Sequence, residues 1–139
     1  MRVLGVDPGD KRIGLSVSDP TATIANPLSV INHVSRVIDA ATIVSIARDQ
    51  NVELIVVGQA LDENNEVGPA ARKALRMAEA IRSQCSISVV LWDESGSTHD
   101  AKQAGIALDV SRHKRQGHLD HIAATIILQS YLDAQDHLS

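Results

Sequence analysis

The chain has 139 residues, a length typical of one domain, and we expect a single domain over residues 1–139. Hydrophobic residues make up 44% and charged residues 22%, a composition that excludes a disordered or fibrous protein. The formal net charge of −4 at pH 7 argues against broad nonspecific adhesion to nucleic acid but leaves room for a local basic patch.

Neither a membrane span nor a disulfide framework is expected. No apolar run reaches the length of about 18 residues that a spanning helix needs. Asp7 interrupts the N-terminal apolar run before the core of a signal peptide could form. The single cysteine, Cys85, cannot form an internal disulfide. These features predict a cytoplasmic protein with no membrane partner.

The first part of the chain predicts three strands and a helix. Apolar runs over residues 2–7 and 11–19, separated by a Pro-Gly turn, are typical of an antiparallel hairpin. Residues 24–31 predict a third strand, and Pro27 favours an edge position because proline has no N–H to donate. Helical spacing of apolar residues then predicts a helix over 34–49. Its apolar stripe consists of Val34, Val37, Ile38, Ala41, Val44 and Ala47.

The rest of the chain alternates strands and helices. The run VELIVVG predicts a strand buried on both faces, and ISVVLWDE predicts a second one. Ser97 with Asp100 predicts the start of a helix through about Leu108, and a last helix is expected over about 119–134. The helix between the two strands has an apolar stripe of Val67, Ala70, Ala71, Ala74, Leu75, Ala78 and Ile81. The predicted core face of the last helix is Leu119, Ile122, Ala123, Ile126 and Ile127.

This order of elements, β-β-β-α-β-α-β-α-α, predicts an α/β fold. Because antiparallel strands come first and right-handed βαβ crossovers follow, the central sheet should be mixed. We expect three antiparallel strands and then parallel strands, flanked by helices. No linker, repeat or low-complexity tract divides the chain.

Acidic residues lie at three places where the predicted structure sets their direction. Asp7 ends the first strand, Asp93-Glu94 ends the last strand, and Asp120 opens the final helix. In an α/β sheet, strand ends and neighbouring helix starts converge on one crevice. Carboxylates gathered there repel each other unless protons or divalent cations neutralise them. Oxygen ligands favour Mg²⁺ or Mn²⁺, and two such ions about 4 Å apart support phosphoryl transfer to water.

Each of these acids also has an ordinary structural explanation. Asp7 can cap the turn that follows it, and Asp93-Glu94 can lie in a solvated loop. Asp120 can be a first-turn acid that the helix dipole favours. Their shared position at one predicted crevice is what favours metal-dependent phosphoryl chemistry.

A basic segment precedes the last helix. The sequence SRHKRQGH contains Arg112, Lys114 and Arg115, which either form a solvated loop or contact nucleic-acid phosphates. The chain has one Trp, one Tyr and no Phe. This scarcity argues against a platform of aromatic side chains that stack on unpaired bases.

Several segments resemble the YqgF/RuvX family. GVDPGDKRIGLSVSD is similar to the family's opening signature, Asp-x-Gly-x-Lys-Arg-Ile-Gly, and ELIVVG to its middle strand. WDES is similar to its acidic strand end and LDHIAATIILQSYLD to its C-terminal helix. The family comprises Holliday junction resolvases, also proposed to be pre-16S rRNA nucleases, with a ribonuclease-H-like fold. The resemblance covers nearly the whole chain.

The resemblance implies catalytic, metal-binding carboxylates at Asp7, Glu94 and Asp120, with Lys11 and Arg12 near the nucleic-acid phosphates. It implies a divalent-metal-dependent endonuclease that uses Mg²⁺ or Mn²⁺, with two ions expected. The substrate would be pre-16S rRNA, a Holliday junction or both. We expect a monomer or a homodimer.

The sequence departs from the family pattern at two places. Ser95 stands where the family usually has an arginine, and Gln59-Ala60 stands where it generally has Leu-Pro. Serine cannot supply the bidentate grip of a guanidinium on phosphate. A catalytically impaired nucleic-acid-binding or regulatory module is therefore an alternative. Actin-like phosphotransferases share the opening Asp-x-Gly hairpin, but they close two such domains over a nucleotide, and 139 residues supply one.

Overall fold

The computed structural model describes residues 1–60, 68–93 and 120–136, and at Asp120 and Asp136 it describes the backbone alone. The helix predicted to start at Ser97 falls outside these ranges, as do Val67 and Leu119. The described elements are β1 (Arg2–Pro8), β2 (Arg12–Ser18), β3 (Ala25–Asn32), α1 (Arg36–Asp49), β4 (Val52–Gln59), α2 (Pro69–Arg82), β5 (Ser88–Asp93) and α3 (Asp120–Asp136).

The described strands form one mixed sheet in the order β3-β2-β1-β4-β5. The β1–β2 and β2–β3 pairs are antiparallel, whereas the β1–β4 and β4–β5 pairs are parallel. The predicted hairpin and the predicted change from antiparallel to parallel strands are therefore confirmed. Among the described strands, the one that contains Pro27 lies at an edge of the sheet, a position that suits proline.

Helices cover both faces of the sheet. On one face, Leu4 and Val6 of β1 join a core with Ile43 of α1 and Ile81 of α2. On the other face, Val3 belongs to a smaller core that includes Leu54, Val56, Leu128 and Leu132. Alternate side chains of β1 and of β5 thus enter different cores, which is the period of two expected for a strand. The two faces are called the α1/α2 face and the α3 face below.

The predicted stripe of α1 is wrong in its first turns. Val34, Val37 and Ile38 are each at least half exposed, and Ala41 is exposed as well. The buried side chains of this helix are Asp39, Ala40, Ile43, Val44 and Ala47. The helix has apolar residues on more than one side, so periodicity cannot select the face that packs on the sheet.

The stripes of the other two helices are correct in part. Ala71, Ala74, Ala78 and Ile81 of α2 are buried as predicted, but Ala70 and Leu75 are exposed and Met77 takes a buried position. In α3, Ala123 and Ile127 are buried, Ile126 is half-buried and Ile122 is exposed. Leu128 and Leu132 complete the face that packs on the sheet.

The strand predicted from ISVVLWDE is less buried than expected. Within β5 only Val89 is buried, and four residues that follow it are half-buried. Among the described strands β5 is the last of the sheet, with β4 as its neighbour. An outer strand has a neighbouring strand along only one of its two edges, so its side chains are less covered. An apolar sequence by itself therefore does not establish that a strand is buried on both faces.

A close approach between β1 and α3 depends on Gly5. A Cβ added at Gly5 would fall against the Ser16 hydroxyl, 2.8 Å from Leu128 Cβ and 3.1 Å from the Ala124 carbonyl oxygen. Ser16 Oγ donates a hydrogen bond of 2.7 Å to that carbonyl oxygen. The small residues at Gly5 and Ala124 therefore let the helix lie directly on the strand. None of the described helices is long and apolar enough to cross a membrane.

We expect Gly5→Ala to destabilise the protein by about 1–3 kcal/mol, the usual cost of an overpacked core. The added methyl would push α3 from the sheet or displace Ser16. Urea unfolding measures the change in free energy. Gly68→Ala is the matched control, because a Cβ at Gly68 meets nothing within 4 Å. Equal effects of both substitutions would contradict the packing explanation.

Candidate active site

Asp7 lies near the end of β1, opposite Gly14 of β2. Val3, Gly5 and Asp7 are every second residue of this strand, and Val3 and Gly5 both face α3. The strand period therefore places Asp7 on the α3 face. Its side chain is half-buried. A tight turn follows at Gly9, where an added Cβ would collide with the backbone of the next strand.

The direction of α3 brings its first residue to the same end of the sheet. Ala124 accepts a hydrogen bond from Ser16, and Gln129 Oε1 accepts one of 2.9 Å from the backbone N–H of Ala25. Ala25 pairs with the last residue of β2, so α3 and β2 run in the same sense. β1 runs the opposite way. The helix therefore begins toward the end of the sheet at which Asp7 lies, and Asp120 comes one turn before Ala124.

The end of β5 divides its side chains between the two faces. Trp92 Nε1 donates a hydrogen bond of 3.1 Å to Ser130 Oγ of α3. The Trp92 ring also meets Tyr131 edge to face, with centroids 5.4 Å apart and planes at 87°. Leu91 packs in the core of the α1/α2 face. By alternation Asp93 lies on the α1/α2 face, away from Asp7, although both acids end strands.

The structure places some of the predicted site residues and leaves others outside its description. Lys11 is exposed in the β1–β2 turn, and Arg12 begins β2 half-buried. Asp120 is the first residue of α3. Outside the described residues are Glu94, Arg112, Lys114 and Arg115. No three acidic, histidine or cysteine side chains gather within the described set, which lacks two of the three predicted metal ligands. The triad stays a prediction.

Sequence reasoning missed an ion pair next to this end of the sheet. Lys73 Nζ of α2 lies 2.5 Å from Asp10 Oδ1 in the β1–β2 turn. The hydrogen bond and the charge of Lys73 lower the pKa of Asp10 below its usual 3.8. The two residues are 63 positions apart in the chain, so no local pattern could have revealed the pair. It links α2 to the turn that follows Asp7.

A second missed pair lies at the start of α1. Asp39 is 1% exposed, and its carboxylate bonds to His33 Nδ1 and accepts a hydrogen bond of 2.9 Å from the Val34 N–H. Ser35 caps the helix by accepting from the Ile38 N–H at 3.3 Å. An acid such as Asp39 is a common sequence signal for the first turn of a helix. No sequence signal, however, indicates that its side chain is buried.

Solved structures with the same fold include Holliday junction resolvases. Thermus thermophilus RuvC, in complex with a Holliday junction substrate, matches with a TM-score of 0.63 and 18% identity over 98% of this chain and 96% of that chain. A fowlpox virus resolvase bound to Holliday junction DNA matches with a TM-score of 0.56 and 14% identity, over 97% of this chain and 99% of that chain. The fold is thus the ribonuclease-H-like α/β fold of RuvC.

The family follows from the sequence. The family model "RuvX: Holliday junction resolvase" matches residues 1–134, and the chain belongs to this RuvX family. Two relatives, both named "Putative pre-16S rRNA nuclease", come from Caldanaerobacter subterraneus and Thermoanaerobacter pseudethanolicus. They are 44% and 40% identical to this chain over 136 residues, which is 97% of this chain and 98% of each relative. The family resemblance predicted from the sequence is confirmed.

We expect Lys73→Gln to raise the pKa of Asp10 toward 3.8, because the substitution removes the cation that stabilises the carboxylate. The carboxyl carbon resonances, followed by NMR during an acid titration, measure this shift. Any stabilisation from the pair is present above about pH 4 and is lost as the pH falls through the lowered pKa in the folded state.

Asp19 is the internal control for this titration. Hydrogen bonds from Ile24, Thr21 and Thr23 lower its pKa, and Lys73 is not among the causes. Its midpoint should be unchanged in Lys73→Gln. A parallel shift at Asp19, or none at Asp10, would contradict the assigned ion pair.

Proposed function

We propose that this protein is a divalent-metal-dependent endonuclease that hydrolyses phosphodiesters in structured nucleic acid, as a single domain over residues 1–139. The observation that carries the proposal is the position of Asp7, at the end of β1 and on the face on which α3 packs. Asp120 begins that helix. Membership of the RuvX family supports the same activity.

Asp7, Glu94 and Asp120 are the residues that would hold two Mg²⁺ or Mn²⁺ ions. Carboxylate oxygens are the donors that these hard cations prefer. The close packing at Gly5 fits this role because it brings the start of α3 toward the end of β1. Trp92 faces α3 near the end of β5, and Glu94 follows it by two positions in the sequence. When bound, the ions would activate a water molecule and stabilise the leaving oxygen.

Basic residues of the chain would hold the substrate. Lys11 and Arg12 follow Asp7 closely in sequence and would contact phosphates near the cleaved bond. The loop with Arg112, Lys114 and Arg115 would contact further phosphates. Such contacts fix the position of a nucleic acid without reading its sequence. The low aromatic content also supports recognition of shape over base stacking.

For the biological substrate we propose the 5′ end of pre-16S rRNA, a Holliday junction or both. The names of the relatives support the RNA, and the family description supports the DNA. Either process would take place in the cytoplasm, with the protein as a monomer or homodimer. Cleavage of a four-way DNA junction and of a structured pre-rRNA fragment, compared side by side with Mg²⁺, separates the two substrates.

A second candidate function follows from Ser95. Without the arginine that usually stands at this position in the family, the protein would bind nucleic acid but cleave it slowly or not at all. Binding without Mg²⁺-dependent cleavage would support this candidate. Restoring the basic side chain with Ser95→Arg should then raise the cleavage rate.

We expect Asp7→Asn to reduce cleavage by orders of magnitude, because a neutral amide binds Mg²⁺ far less well than a carboxylate. The metal-free variant should be as stable as the parent protein or slightly more stable, since one repelling charge is removed. Thermal unfolding with and without Mg²⁺, beside a cleavage assay, tests both points. If Asp7 serves only to cap the turn, Asn accepts the same hydrogen bond, and neither cleavage nor stability changes. Retained cleavage would show that the catalytic assignment is wrong.

We expect the double substitution Lys114→Ala and Arg115→Ala to flatten the plot of log affinity against log salt by about two units, if each side chain neutralises one phosphate. Fluorescence anisotropy with labelled nucleic acid measures the slope. The control replaces Arg48 and Arg72, two exposed arginines of α1 and α2, with Ala. An unchanged slope in the Lys114→Ala/Arg115→Ala variant would show that these two side chains do not contact phosphates.

A further inference from the structure

A cavity of about 450 Å³ lies between the first turns of α1 and α2, on the α1/α2 face of the sheet. Gly9 and Asp10 of the β1–β2 turn form one wall. Arg36 of α1 and Arg76 of α2 also line the cavity. The volume is within the range of about 300–1,000 Å³ that small-ligand sites occupy.

With histidine counted as neutral, cationic side chains outnumber carboxylates by one in the lining of the cavity. Asp10 is paired with Lys73, and the buried Asp39 is paired with His33. No hydrogen bond or ion pair within the described part of the chain engages the side chains of Arg36 and Arg76, which are both exposed. Two guanidinium groups with free donors therefore border the same cavity. Guanidinium binds phosphate oxygens through paired hydrogen bonds.

The start of α2 adds to this positive character. Pro69 lines the cavity at the first turn of the helix, and the N-cap residue, Gly68, makes no side-chain capping bond. The first turn also contains no acidic residue. Within the described residues, the positive end of the helix dipole thus adds to the charge of the arginine pair.

We propose that this cavity binds a phosphate group of the nucleic acid through Arg36 and Arg76. The inference rests on the proposed function for the identity of the ligand. It is supported by the β1–β2 turn, which separates the cavity from Asp7 by only a few residues. A strand with its cleaved bond at Asp7 could cross this turn and place a neighbouring phosphate in the cavity. A free nucleotide presents the same chemical group.

The test is a double substitution, Arg36→Gln with Arg76→Gln. Binding of a four-way DNA junction and of a structured pre-rRNA fragment is measured by anisotropy over a salt series without divalent metal. Loss of one neutralised phosphate should flatten the log–log slope by about one unit. We also expect an affinity loss of about tenfold at fixed salt, as for one removed charge-assisted contact.

Two matched variants make the test specific. Arg48→Gln with Arg72→Gln removes the same charge from the same two helices outside this cavity and should leave the slope unchanged. Arg36→Lys with Arg76→Lys keeps the charge but loses the bidentate grip. It should keep the slope of the parent protein and bind more weakly. Equal slopes in the two Gln variants would overturn the proposal.

A titration with a nucleoside monophosphate, followed by thermal shift, identifies the source of the phosphate. Stabilisation of the parent protein that is absent from the Arg36→Gln/Arg76→Gln variant, with an unchanged nucleic-acid slope, would assign the cavity to a free nucleotide and overturn the substrate contact. Failure of the parent protein to cleave would reject the proposed nuclease activity. The slopes of log affinity against log salt would still show whether the cavity binds a phosphate of the nucleic acid. Failure of the parent protein to bind either nucleic acid would reject both.

Discussion

The arrangement of the site depends on the contact between β1 and α3. Gly5 has no side chain, and Ser16 uses its hydroxyl to bond the backbone carbonyl of Ala124. Together they fix the position of the helix along the strand, because a shift of one turn would separate the hydroxyl from its acceptor. The same contact therefore fixes where α3 begins relative to Asp7. A packing requirement of the core thus determines which residues could share a metal.

Local signals in the sequence were sufficient for the strands. The apolar runs and the Pro-Gly turn predict the hairpin, and Pro27 correctly places β3 at the edge. The faces of the helices could not be predicted equally well. Val37 and Ile38 are apolar but exposed, whereas Asp39 is buried because His33 and the Val34 N–H form hydrogen bonds with its carboxylate. Burial is decided by partners distant in sequence, which hydrophobic periodicity does not contain.

The candidate site was predictable to a similar extent. Asp7 and Asp120 are found from a strand end and a helix start, and the family motifs identify the same residues. By contrast, the pairing of Asp10 with Lys73 and the cavity beside Arg36 exist only once α1 and α2 pack against the sheet. A charge on an exposed helix position looks the same in sequence whether it lines a cavity or faces open solvent.

Opposite charges on the two sides of one turn would give the proposed enzyme an order of binding. The chain is acidic overall, so a polyanionic substrate gains attraction only from local basic groups such as Arg36 and Arg76. Asp7, on the other side of the turn, would repel a phosphate until cations neutralise the carboxylates. In the proposed enzyme, binding by the basic side would then not depend on metal, whereas cleavage would. The fold would thereby separate holding the substrate from cutting it, although both would take place at one end of the sheet.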